Sequence, residues 1–340
     1  MDFYRGRRAL VTGGLGFIGS NLVRRLVRAG ASVTVIDAAF PDQGANLFNL
    51  KGVLEEVVLV IADIGDLEEV SNYLVDQEII FNLASSTSHI GSMQNPFKDL
   101  ERNCSSQLRF LGAVRELSPG ARVIYTGSRS QYGTPLYQPV DEDHPTKPLD
   151  INGIHKCTVE EYHRLYHQLS HIRFTSLRLT NVFGPRHQML HDGHGFLNWF
   201  IRKALAGEEL QVFGDGSQER DFLYVEDAVD AILLAGATGE CEGRIFNVAS
   251  EVPVSVAEAA RAVAEMAGVG WRCVAYPKDR LSIEPGSVRL SSRRFREATG
   301  WSPRHTFLEG LERTLDFYGR HGHHYFHPAK GRIFLERKLD

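Results

Sequence analysis

Three glycines at three-residue intervals, Gly13, Gly16 and Gly19, follow the apolar run Ala9-Leu10-Val11-Thr12, and an acid, Asp37, closes the next apolar run, Val33-Thr34-Val35-Ile36. Glycines so placed let a chain turn sharply out of a strand and bring its backbone close to a bulky anion; the last one lets a helix pack closely on that strand. The following segment, Phe17 to Ala29, is apolar at Ile18, Leu22, Leu26 and Val27 and is stopped by Gly30, which predicts a helix. Its N-terminus offers unpaired N–H groups and the positive end of a dipole to phosphate. A carboxylate at the end of the second strand accepts hydrogen bonds from an adenosine ribose and repels a 2′-phosphate. The pattern therefore predicts a dinucleotide site that takes NAD in preference to NADP.

The elements that must position this site alternate along the chain. Strand-like runs at Val57 to Ile61, Ile79 to Leu83, Arg122 to Thr126 and Phe174 to Leu179 are separated by segments able to form helices, among them Pro96 to Leu117 and Asn152 to Leu169. This alternation predicts an α/β fold with a Rossmann-type doubly wound parallel sheet. Past residue 180 the elements shorten: strands at Leu210 to Phe213, Phe222 to Val225 and Ile245 to Val248, helices at Phe196 to Ala206, Ala228 to Ala235, Ser255 to Ala267 and Leu308 to Tyr318. The expected organisation is an NAD-binding domain over 1–180 and a smaller α/β substrate-binding lobe over 181–330, with segments able to interleave.

The 340 residues carry a formal charge of −4 with no block of like charge, so no footprint for nucleic acid or an anionic membrane surface is expected. No stretch approaches the roughly 20 apolar residues that span a bilayer, and the expected setting is cytoplasmic. Cys104, Cys157, Cys241 and Cys273 are scattered without metal-ligand spacing and read as reduced thiols. His321, His323, His324 and His327 cluster near the end but lack a completing carboxylate or thiol, and read as surface histidines with no metal.

With these segments in place the chain resembles the extended short-chain dehydrogenase/reductase superfamily, in its nucleotide-sugar epimerase and dehydratase branch, from about residue 7 to 318. The resemblance is carried by the glycine motif, Ala62-Asp63-Ile64, Asn82-Leu83-Ala84, Ser92 with Pro96, Asn103, the run Thr126-Gly127-Ser128-Arg129-Ser130-Gln131-Tyr132-Gly133, Asn181 to Arg186, Phe213 to Gly216, Arg220 to Val225 and Gly300-Trp301-Ser302-Pro303. It implies that NAD is held by Gly13, Gly16, Phe17, Ile18, Gly19, Asp37, Asp63, Ile64, Leu83, Ala84, Asn103 and Lys156. It implies a nucleoside diphosphate sugar touched by Ser85, Ser128, Arg129, Asn152, Asn181, Phe213 and Arg220, and a homodimer built on the helices Pro96 to Leu117 and Asn152 to Leu169. Ser128 matches the serine or threonine that hydrogen-bonds the substrate oxygen destined to become a carbonyl.

One residue departs from the pattern. The family places a tyrosine four residues before a lysine, so that both face the site from one helix and the phenolate takes the hydroxyl proton as hydride leaves. Lys156 is present, but the tyrosine position holds Asn152, which cannot act as a base. Three readings remain open: another group, His155, His89 or Tyr132, takes the proton; Ser128 and water relay it; or hydride transfer has been lost, leaving a binding protein. The acid pair of the 4,6-dehydratases is replaced by Arg129 and Ser130, which disfavours dehydration by that route.

Asn181 and Arg220 match diphosphate-binding positions and Phe213 a position packing against the base, with an Arg220–Asp221 ion pair as the structural alternative. Where the family often has Arg-Pro-Gly-Asp, this chain has Glu284-Pro285-Gly286-Ser287. Either Lys278 or Arg280 substitutes, or the substrate carries less negative charge. The expected function is an NAD-dependent nucleotide-sugar epimerase, acting at C4. A decarboxylase, an atypical dehydratase, a dehydrogenase or a silent binding protein are the alternatives.

Overall fold

The computed structural model describes residues 2–40, 43–170, 172–191, 195–277 and 284–326. Lys278, Arg280 and His327 lie outside the described residues. The strands are β1 (Arg8–Thr12), β2 (Ser32–Asp37), β3 (Val57–Ile61), β4 (Ile79–Asn82), β5 (Arg122–Ser128), β6 (Arg173–Leu179), β7 (Asn181–Phe183), β8 (Leu210–Phe213), β9 (Glu219–Tyr224), β10 (Arg244–Val248), β11 (Pro253–Ser255) and β12 (Trp271–Val274). Seven of them form one parallel sheet in the order β10-β6-β5-β4-β1-β2-β3.

Alternation of side chains along β1 shows why the sheet is covered on both faces. Ala9 and Val11 point into one apolar cluster, with Leu22, Val23 and Leu26 of α1 (Phe17–Arg28). Leu10 points into the other, with Val70 and Leu74 of α2 (Leu67–Leu74). The direction of chain winding reverses where β1 lies between β2 and β4, and the loops leaving β1 and β4 diverge there, opening a crevice at the carboxyl ends of the strands.

Beyond β4 the chain forms α3 (His89–Gln94) and α4 (Pro96–Leu100), passes through a π-helical turn at Glu101–Ser105, and continues as α5 (Ser106–Leu117). The single helix expected over Pro96 to Leu117 is therefore one course with a widened turn. Helix α6 (Ile151–Ser170) packs beside α5 and carries both Asn152 and Lys156.

A single division at residue 180 does not describe the arrangement. β10 pairs in parallel with β6 as the edge of the main sheet, and α8, following α7 (Phe196–Leu205) and spanning Val225–Ala237, packs against α1. The stretch from α8 to β10 thus returns to the first lobe, because its apolar residues (Val229, Ile232, Phe246, Val248) find their partners in that core. The smaller lobe retains the three-stranded sheet β11-β9-β7 and the pair β12-β8, with α7 and α9 (Val256–Ala267) against them. β9 starts earlier than the apolar run implied, since Glu219 to Asp221 pair antiparallel with β11. The C-terminal segment runs through α10 (Arg293–Thr299) and α11 (Phe307–His321), after which His324 stacks on Phe48 with ring centroids 3.7 Å apart.

The position of α6 on the sheet is set by a buried carboxylate. Glu160 accepts from Ser176 Oγ at 2.7 Å and from Arg178 Nη2 at 2.5 Å, with both β6 partners and the acid nearly sealed from solvent. Removing one member leaves a charge buried without its partner. Glu160→Ala is expected to destabilise the fold by about 3–5 kcal/mol in urea unfolding; a loss within experimental error would show that α6 is held by apolar packing alone.

Candidate active site

A cavity of about 800 Å³ runs along the crevice from Asp37 and Phe40 at one end to Phe213, Arg220 and Tyr276 at the other. The glycine turn forms its floor. Gly13 has φ +70°, and a Cβ there would lie 3.1 Å from the backbone of Ala84; a Cβ on Gly19 would lie 2.1 Å from the Gly13 carbonyl. Side chains at these two positions would press the turn away from the Leu83–Ala84 backbone and push α1 off the turn, displacing the amides that face the cavity.

Asp37 hangs over this turn, accepting from the amides of Leu15 at 2.9 Å and Ala39 at 2.8 Å. Burial pushes its pKa up and the two amides pull against that, with a net rise. Gly16, Phe17, Ile18, Asp63, Ile64, Leu83 and Ala84 line the same half of the cavity, together with Arg102, whose guanidinium sits 3.8 Å over the Phe40 ring centroid. Arg102 carries no motif signal; only the course of the π-helical turn brings it here.

Asn103, expected against the cofactor, is not among the lining residues. Its amide accepts from Ser86 N at 2.8 Å and Ser85 Oγ at 3.1 Å, and donates to Ser86 O and Asp99 Oδ1. With its hydrogen-bonding capacity used this way it supports the Ser85–Ser86 wall from behind.

The centre of the cavity is bounded by Ser128, Asn152 and Lys156. The Lys156 ammonium donates to Thr126 O at 3.0 Å, and burial lowers its pKa to about 8 against the pull of Asp99 and Glu160. Ser128 ends β5 and receives the Ser130 amide and hydroxyl at 3.2 and 3.0 Å. Asn152 donates from Nδ2 to Ser86 O at 2.7 Å and from its backbone to Ser92 Oγ at 3.1 Å, so it ties α6 to the α3 segment.

Of the three groups weighed as a replacement base, the cavity wall contains one. His155 is turned away: its Nδ1 lies 2.6 Å from Asp99 Oδ1 in the interior, as a residue about 100° around the helix from Lys156 must be. Tyr132 is also outside the wall. Its hydroxyl donates to Asn247 and receives Arg178, and burial pushes its pKa up to about 12. His89 lines the cavity with its side chain 42% exposed, and its Nδ1 lies 2.7 Å from Asp150 Oδ2.

Asp150 is buried, which raises its pKa, but the His89 contact and the Gly153 amide outweigh this and hold the carboxyl below its ordinary value. Such a pair fixes the ring and leaves Nε2 as the proton-accepting atom. Asp150 escaped the sequence reading because its partner lies 61 positions away.

At the far end Arg129 donates from Nε to Asn181 Oδ1 at 3.1 Å, and burial with the nearby Arg220 charge lowers its pKa to about 10. The Phe213 and Tyr276 rings lie 5.7 Å apart. Arg220 does not pair with Asp221, whose carboxylate is bound by Ser250 and by the Glu251 amide; its partner is Glu284. Trp199 and Lys203 complete the wall, again without a motif signal.

The model of the NAD dependent epimerase/dehydratase family matches residues 9–249. The chain belongs to that family. NAD is its cofactor, and the Gly13–Gly19 floor with Asp37 at the strand end suits it. The chain is 35% identical over 314 residues to a UDP-glucose 4-epimerase of Mycolicibacterium smegmatis, covering 92% of this chain and 98% of that one. It is 29% identical to UDP-glucuronic acid decarboxylase 1 of Xenopus tropicalis over 94% of this chain and 73% of that one. The Thermus thermophilus UDP-glucose 4-epimerase solved with NAD superposes with a TM-score of 0.81 at 28% identity, over 92% and 98% of the two chains. This is an NAD-dependent enzyme of the epimerase/dehydratase type.

Lys156 allows a pH test of the site. With its pKa at about 8 in the folded chain and near 10.4 when unfolded, its charge opposes folding fully below pH 8, and that opposition is relieved as pH rises toward 10. Lys156→Met is therefore expected to unfold at higher temperature than the native chain at pH 7, with the gap shrinking by pH 10. A gap that is constant or reversed would place the charge in a compensated environment.

Proposed function

We propose that this chain is an NAD-dependent nucleotide-sugar epimerase acting at C4, with His89 as the base in place of the family's tyrosine. The observation that carries the reading is the His89–Asp150 pair on the wall shared with Ser128, Asn152 and Lys156. Bound NAD would supply the acceptor that takes the C4 hydride and gives it back. Ser128 hydrogen-bonds the C4 oxygen, and His89 Nε2 takes the hydroxyl proton as the C–O bond becomes a carbonyl. Asp150 stabilises the imidazolium so formed, and Lys156 holds the ribose beside the nicotinamide. Return of the proton from His89, with hydride on the opposite face of the sugar, inverts the carbon, and the cycle is redox neutral. Similarity to UDP-glucose 4-epimerases supports the sugar-nucleotide class.

A second reading, decarboxylation of a uronic acid after the same oxidation, is favoured by Arg129, a buried cation on the wall suited to a carboxylate, and by the likeness to decarboxylases. A panel of nucleotide sugars offered without external NAD separates the two. Inversion without CO₂ release supports the first reading, and CO₂ from a uronic acid the second. Retained binding with no turnover would overturn both. His89→Ala and Ser128→Ala are each expected to lower turnover by about two orders of magnitude or more. Asn152→Tyr is expected to bring no gain; a large gain would remove His89 from the base role.

The proposal includes a homodimer. Phe97, Leu108, Ile154 and Leu169, on α4, α5 and α6, are 82%, 40%, 49% and 75% exposed, an apolar set that suits a second copy of the same helices. Light scattering at micromolar concentration is expected to give a dimer for the native chain and a monomer for Phe97→Glu with Leu169→Glu. A monomeric native chain would overturn it.

A further inference from the structure

Arg220 stands at the nucleotide end of the cavity with its guanidinium already occupied. Nη1 donates to the carbonyls of Glu219 at 2.9 Å and Gly286 at 2.8 Å, and Nη2 lies 2.5 Å from Glu284 Oε1. The carboxylate is fixed in turn by the Tyr276 hydroxyl, which donates to Oε2 at 2.6 Å, and by the Gly286 amide, which donates to Oε1 at 3.1 Å. Its side chain is 19% exposed, that of Arg220 6%, and both line the cavity. Resting on the nucleotide-sugar reading above, we propose that Glu284 is a specificity-determining residue: a carboxylate that competes with substrate phosphate for Arg220, so that each phosphate charge placed there weakens binding.

The argument is one of charge and geometry. A guanidinium facing an empty subsite attracts phosphate by charge-assisted hydrogen bonds. Here that charge is cancelled by an anion inside the same subsite. An incoming phosphate then has two courses. It sits beside Glu284 against like-charge repulsion, or it displaces the carboxylate, which loses its contacts with Arg220, Tyr276 and Gly286.

Both courses weaken binding, and both worsen with the charge of the ligand, which is how a site discriminates by an unfavourable element. Among the described residues the other charges leave the competition in place. Asp221 is turned to Ser250 and Glu251, and Lys203 lies 3.5 Å from Glu208. Arg129 donates from Nε to the neutral Asn181 amide and keeps its charge beside Arg220 and Glu284; it attracts phosphate whether or not Glu284 is charged, so the difference Glu284 makes remains. Tyr276 also packs on Phe213, so the residue that holds Glu284 belongs to the surface expected to meet the base.

The test is calorimetric titration of the NAD-loaded protein with uridine, UMP and UDP, the base being that of the relatives named above. Glu284→Gln keeps the shape and removes the charge; its oxygen still accepts from the Gly286 amide, and its NH2 donates to the Tyr276 hydroxyl, which reverses that contact. It is expected to tighten UDP by about tenfold or more and UMP by less, leaving uridine within about twofold. In Arg220→Met the same substitution is expected to bring a smaller gain, because relief of like-charge repulsion remains but no guanidinium is released; an equal gain in both backgrounds would overturn the competition for Arg220. Unchanged or weaker UDP binding in Glu284→Gln, with uridine still bound, would overturn the proposal and make Glu284 a prop for Arg220. Failure of all three ligands to bind either protein would overturn the nucleotide reading itself and this proposal with it.

Discussion

Helix α6 is a polar element pressed against a parallel sheet, and the site depends on the carboxylates that hold it there. Asp150 takes the Gly153 amide at its first turn and the His89 ring from α3; Glu160 takes Ser176 and Arg178 from β6. Between these points the helix carries Asn152 and Lys156 toward the cavity. A buried ammonium survives there because Thr126 O accepts from it and two acids lie near enough to offset part of its desolvation. An apolar helix in the same place would pack more easily and carry nothing to the cofactor.

At the position where the resemblance leads one to expect a tyrosine, Asn152 serves as a tether. Its amide donates to Ser86 O and so couples the helix bearing the lysine to the segment bearing His89. The proposed base therefore enters from α3, across the cavity wall. Its orienting partner Asp150 immediately precedes α6, two residues before the asparagine.

The two ends of the cavity obey different electrostatic rules. At the dinucleotide end, backbone amides and a helix N-terminus face the cofactor, and the acidic Asp37 is held by the amides of Leu15 and Ala39. At the nucleotide end two arginines converge, but each is bound to a neighbouring side chain, Arg129 to Asn181 and Arg220 to Glu284.

The sequence by itself determined what local spacing determines. The glycine interval, the strand-terminal acid and the period-two and helical patterns specified the sheet, its winding and the NAD end, because these depend on residues within one βαβ unit. It also placed Asn152 and Lys156 on one helix, four residues apart. It did not separate His89 from His155 and Tyr132, join Asp150 to His89, pair Arg220 with Glu284 or remove Asn103 from the wall. Those outcomes rest on contacts between segments tens of residues apart, and which polar atoms meet in a buried space depends on the packing of whole elements. The return of β10 to the main sheet has the same origin: a short apolar strand reads alike in either lobe, and only the partner that covers it decides where it goes.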